Sequence, residues 1–212
     1  AMTRDAIFRI ASMTKPVTSL AVMMLVEEGK MALDDPIEKY LPELANREVF
    51  TEFNLDSGEF TARPAQNLIT IRHLLSHTSG LGYTFDSPVL AKALGSEFDV
   101  SATSVPLLHE PGEEWTYGES TRVLGHLVET VSGMELFEFM QERILQPLGM
   151  YETYYDIPPS NNPRTVTTHA MNGSTLMETS NPDIISSAHN GDAGLFSTAQ
   201  DYTRFIRLFL NK

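Results

Sequence analysis

The residues predict an α+β fold that is mainly helical. Three observations carry this. Leu20 to Val26 is an unbroken apolar run, bounded by Pro16 and by Glu27-Glu28-Gly29. Val123, Leu124, Leu127, Val128 and Val131 recur at helical spacing. Val166 to Ala170 and Thr175 to Glu178 flank Asn172-Gly173, a hairpin signal of the type I′ class.

Taken in order, Ile7 to Ile10 reads as a short extended segment leading into the first helix. Pro16 is tolerated in a first turn, and Gly29 supplies the C-cap. The apolar run predicts a helix apolar on all sides and central in its domain, with Met13, Met23 and Met24 in core packing. A short helix is expected over Ile37 to Leu41 and one strand over Glu59 to Ala62. Thr70 caps a helix over Ile71 to Ser76 that stops at His77. A weak helix is expected over Ser87 to Leu94. Helices follow over the Val123 stretch, ended by Gly133, and over Leu136 to Ile144, ended before Pro147. Gly191 to Gly194 reads as a tight loop, and Thr198 opens a last helix that runs to Leu210.

With 212 residues, 42% hydrophobic and 20% charged, the chain has enough apolar material for a core. A net charge of −13 argues against nucleic acid and anionic membrane surfaces. No stretch approaches the length of a membrane span. The absence of Cys removes thiol catalysis, disulfides and thiolate metal sites. His73, His77, His109, His126 and His169 follow no metal-ligand spacing.

The chemistry-bearing stretch is Ser12-Met13-Thr14-Lys15. A serine hydroxyl is a weak nucleophile until a neighbour takes its proton. A lysine three residues on lies on the same helix face, and the helix N-terminus favours developing negative charge. Alone, the tetrapeptide also fits an N-cap serine followed by a solvated lysine. Three further stretches stand in order behind it: ITIRHLLSHTSGL from Ile69 to Leu81, PGEEWTYGES from Pro111 to Ser120, and GDAGLFSTAQD from Gly191 to Asp201.

Together these resemble the serine β-lactamase and penicillin-recognising hydrolase superfamily, in its class C-like branch of β-lactamases, D-alanyl-D-alanine carboxypeptidases and family VIII carboxylesterases. The resemblance implies a β-lactamase/transpeptidase-like fold spanning residues 1–212 as one catalytic domain, incomplete at both ends. The chain then contributes mainly the helical part, with most of the antiparallel sheet missing. It implies Ser12 as acyl-enzyme nucleophile, Lys15 as its proton-transfer partner, and Tyr117 as general base or relay. It implies no cofactor and no metal. Two departures stand out. The asparagine of the family's Y-x-N motif is replaced by Glu119, which either pairs with Lys15 or opens the next helix. That replacement leans toward esters over lactams, because an ionised carboxylate cannot donate to a substrate amide. The K-T-G or H-x-G strand is absent, and His189-Asn190-Gly191 reads as a coincidence upstream of its place. Trp115 either lines an acyl pocket or packs in the core. The acidic pairs Asp34-Asp35 and Glu113-Glu114 read as solvated turns.

The expected function is a serine hydrolase acting on a small-molecule ester. The alternatives are a β-lactamase or D-Ala-D-Ala carboxypeptidase, and a non-catalytic homologue that binds acyl or peptidoglycan-like ligands. Exposed apolar surface is expected beside the serine helix, covered by self-association or by a missing polypeptide. Turnover by these residues alone is expected to be weak, since one oxyanion donor and the third motif are gone.

Overall fold

A computed structural model describes residues 2–94, 105–179 and 189–210. Strand β1 (Ile7–Arg9) runs through a 3-10 turn (Ala11–Met13) into helix α1 (Thr14–Glu27). Strands β2 (Glu48–Phe53) and β3 (Phe60–Pro64) precede helices α2 (Ile71–Leu75), α3 (Pro88–Leu94), α4 (Ser120–Ser132) and α5 (Leu136–Met140), the last continued by a π turn (Gln141–Leu145). Strands β4 (Thr168–Asn172), β5 (Thr175–Thr179) and β6 (Phe196–Thr198) lead into helix α6 (Ala199–Arg207). Among the described residues the strands form three two-stranded antiparallel sheets: β1 with β6, β2 with β3, and β4 with β5.

The chain divides into two compact units, Ala1–Val17 with Glu135–Lys212, and Thr18–Met134. In the first, Ile7, Leu136, Phe139, Met140, Leu195 and Phe205 are buried. In the second, Leu25, Ile37, Ile71, Leu74, Leu107, Leu124 and Leu127 are buried. Burial of each such side chain is worth about 1.5 to 3 kcal/mol, which is what orders these short elements. Helix ends follow their sequence signals. Thr70 accepts from His73 N while the His73 ring accepts from Thr70 N, a complete capping box. Gly133 closes α4 in the left-handed region at φ 72°.

Several expectations need correction. The hairpin turn is Gly173-Ser174, because Asn172 pairs with Thr175. Glycine at the first central position with φ 61° fits a type II′ turn, so the register sits one residue later than the Asn-Gly signal. Glu59 to Ala62 belongs to β3, displaced by one residue at its start, and β2 is its unforeseen partner. Ile37 to Leu41 forms only a 3-10 turn, Ile37–Lys39. The last helix ends at Arg207, not at Leu210. Helix α1 is not enclosed on every side: Ala21, Val22 and Leu25 are buried, but Met23 is 41% exposed and Leu20, Met24 and Val26 are half-buried. Met13 is exposed as well, so two of the three methionines read as core lie at the surface. No helix among the described residues is long and apolar enough to cross a membrane.

Candidate active site

Ser12 lies within the 3-10 turn rather than at the first residue of α1, and its side chain is exposed. The preceding Ala11 has φ 45°, a left-handed conformation that costs a residue with a Cβ and recurs where a chain presents a reactive group. Four hydrogen bonds hold the turn. Ile10 N donates to Leu195 O at 3.0 Å, and Leu195 N donates to Thr14 Oγ1 at 3.3 Å. Tyr202 Oη donates to Met13 O at 2.9 Å. Lys15 Nζ donates to Asp192 O at 2.8 Å. The same Lys15 amine lies 3.4 Å from Ser12 Oγ. That contact is long for a hydrogen bond.

The pair is thus carried by the segment Asp192–Phe196, whose strand β6 also pairs with β1. That segment was legible only as a glycine loop. Its role was missed because backbone acceptors such as Asp192 O have no sequence signature. Burial pushes the Tyr202 phenol up, so it stays a donor to Met13 O. Below it, Asp201 is buried and accepts from Glu152 N at 2.7 Å and from Arg204 at 2.6 Å. The Thr153 and Ser197 hydroxyls pair at 2.8 Å. His189 of the H-x-G string stacks on Tyr155 at 4.6 Å and lies 3.3 Å from Asp156.

Tyr117 belongs to the other unit. Two loops bring it into place, 77–82 and 107–118. Thr116 N donates to His77 O at 2.8 Å, Gly112 N to Thr78 O at 2.8 Å, and Leu108 N to Gly80 O at 2.9 Å. The His109 ring bridges Thr116 Oγ1 and Glu110 O, both at 2.9 Å. Gly118 has to be glycine, since a Cβ there would stand 2.1 Å from Leu81 O and 2.5 Å from Gly82 Cα. Tyr117 itself is half-buried, with the rings of His77 at 5.0 Å, Tyr83 at 5.6 Å and Trp115 at 6.1 Å. Trp115 is 66% exposed, so it is not a core tryptophan.

Glu119 is buried at the N-cap of α4, where its carboxylate lies 2.8 Å from Arg122 Nε. That places it where the next helix opens. The acidic pair Asp34-Asp35 lies at a solvent-facing turn, and both carboxylates are also paired. Asp34 pairs with Arg72 at 2.7 Å, and Asp35 accepts from Tyr40, Ala32 and Lys39. Those bonds, Tyr40 first, pull the Asp35 carboxyl down to about 2. Glu110 is a further buried carboxylate that sequence reasoning passed over. It accepts from Arg63 and from the backbone N–H groups of Gln66 and Asn67. Desolvation raises its carboxyl, but these donors outweigh that and hold it below the usual range.

The Beta-lactamase family matches residues 1–212 throughout. The chain belongs to that family. It is 34% identical over 161 residues to the monacolin J acid methylbutanoyltransferase of Aspergillus terreus, covering 72% of this chain and 39% of that protein. It is 36% identical over 163 residues to the esterase EstB of Burkholderia gladioli, covering 70% of this chain and 38% of that one. The structure of simvastatin synthase from Aspergillus terreus superposes with a TM-score of 0.85 at 29% identity, covering 99% of this chain and 55% of that chain. The family member therefore has the β-lactamase-like α+β fold and esterase and acyltransferase relatives. Its 212 residues span a little over half the length of the first curated proteins it matches.

Proposed function

We propose that the protein is a serine acyl hydrolase in which Ser12 forms an acyl-enzyme with small acyl esters. The observation that carries this is the Lys15 amine, tied to Asp192 O and 3.4 Å from Ser12 Oγ, at the start of a helix in a Beta-lactamase family chain. Ser12 Oγ attacks the ester carbonyl carbon, and its proton passes to Lys15 and Tyr117 acting as one relay. The acyl C–O bond breaks and the leaving alcohol takes that proton. Water, or a second alcohol, then attacks the acyl-enzyme and frees Ser12. This requires the Tyr117 hydroxyl to reach the serine during turnover. Esterase and acyltransferase relatives support esters over lactams as the substrate class. So does Glu119, a carboxylate held by Arg122 where a lactam amide would need a donor.

In this reading residues 1–212 act within one catalytic domain, and the exposed Met13 and Met23 are covered by self-association or by another polypeptide. A fluorophosphonate tests the nucleophile. Intact mass is expected to show one adduct that disappears in Ser12→Ala. An adduct that survives the substitution would remove Ser12 from the mechanism.

A further inference from the structure

Tyr117 belongs to a chain of aromatic contacts that is exposed at its two ends, Trp115 and Phe85, and buried at Tyr83. Trp115 lies nearly parallel to it, with 6.1 Å between ring centroids and 23° between planes. Tyr83 meets it edge-on at 5.6 Å, and Phe85 in turn stacks on Tyr83 at 4.6 Å and 20°. The inner ring, Tyr83, is 5% exposed, whereas Trp115 is 66% and Phe85 81% exposed. The inner rings pack as a core does. The outer two gain little from folding, although a buried aromatic ring contributes more than almost any other side chain. Trp115 protrudes from the loop that the Thr116 N to His77 O bond holds in place, and Phe85 from the turn closed by Asp86 N and Ser87 N donating to Tyr83 O, so each ring is presented by a braced support.

The Asp, Glu, Lys and Arg residues next to them in the chain are all acidic. Asp86 follows Phe85, and Glu113 and Glu114 precede Trp115, all three exposed. Neither residues 77–87 nor residues 110–120 include a lysine or arginine. An exposed ring face edged by carboxylates attracts a flat apolar group that is neutral or cationic, and repels an anionic one.

We propose that Trp115 and Phe85 form a substrate shelf beside Tyr117 that selects esters carrying an uncharged or cationic aromatic group. This rests on the reading of Tyr117 as a member of the proton relay. Trp115 is the sole tryptophan of the chain, so its fluorescence reports the shelf directly. Benzyl alcohol, benzyltrimethylammonium and benzoate, none of which is turned over, serve as probes on the full 212-residue chain. The alcohol and the cation are expected to change the emission saturably, and benzoate to bind at least about tenfold more weakly. Phe85→Ala is expected to weaken the first two by roughly threefold to tenfold. In turnover, the ratio of kcat/KM for benzyl acetate over butyl acetate should fall by a similar factor in both Phe85→Ala and Trp115→Ala, through KM.

Quenching that never saturates would overturn the shelf, as would equal binding of benzoate or an unchanged affinity in Phe85→Ala. Failure here is separable from failure of the nucleophile. Loss of saturable binding with Ser12 still phosphonylated removes the shelf alone. Saturable, anion-discriminating binding with Ser12 unlabelled keeps the shelf and removes the serine.

Discussion

The serine end and the tyrosine end differ in where their supports come from and in how closely their backbones fit. At the serine end, a short turn is gripped by hydrogen bonds from residues 177 to 189 positions further along the chain. At the tyrosine end, two loops close on each other through glycine contacts and hydroxyl pairs such as Ser79 with Ser120, 41 positions apart. The first solution uses directional bonds to backbone atoms, each worth about 1 kcal/mol net but costly when a buried partner is orphaned. The second has backbone bonds of its own, such as Thr116 N to His77 O, and adds a steric fit around Gly118 that tolerates almost no added volume. The serine end is therefore expected to lose orientation gradually under mutation, and the tyrosine end to fail abruptly.

The largest effect separating the two is expected from Gly118→Ala. Its methyl group would collide with the Leu81 carbonyl, so the loops must part. Urea unfolding should show a loss of about 3 kcal/mol or more. A loss below about 1 kcal/mol would mean that the tyrosine end yields as readily as the serine end. Tyr202→Phe is the matching change at the other end. It removes the donor to Met13 O, and about 1 to 3 kcal/mol of stability should go with it. It should also slow Ser12 labelling, with Tyr117 packing left as it was. Unchanged labelling would show that the turn holds itself.

A smaller, pH-dependent effect comes from Glu110. Its carboxyl is held below the ordinary value, so the stabilisation is fully present above the unfolded-state pKa of about 4.3. It is lost as pH falls from there through the lower folded-state value. The Tm should hold above pH of about 5 and drop on acidification. Glu110→Gln should flatten that part of the curve, and an unaltered acid limb would place the linkage elsewhere.

Much of this was legible in the residues. Ser12 and Lys15 stand in a recognisable motif, and α4 announced itself by its apolar spacing and its terminal Gly133. What was hidden has a physical reason. Strand β6 is only three residues long and polar at its end, so periodicity had nothing to act on. Strand β2 carries Glu48 and Glu52, both exposed, which masks its strand character in the sequence. The exposure of Trp115 and Met23 depends on what packs against them, which no local pattern encodes. The supports of Lys15 and Met13 are a carbonyl bond and a distant phenol, and neither constrains a spacing in the chain.

The central claim is that Lys15 moves the Ser12 proton rather than merely lending charge. The rate of Ser12 acylation by a p-nitrophenyl ester, followed by intact mass in Lys15→Arg and Lys15→Ala, tests it most directly. A guanidinium keeps the charge but does not give up a proton. Both variants are therefore predicted to be slowed to a similar extent, by about a hundredfold or more. A Lys15→Arg protein that acylates at close to the unsubstituted rate would contradict the account.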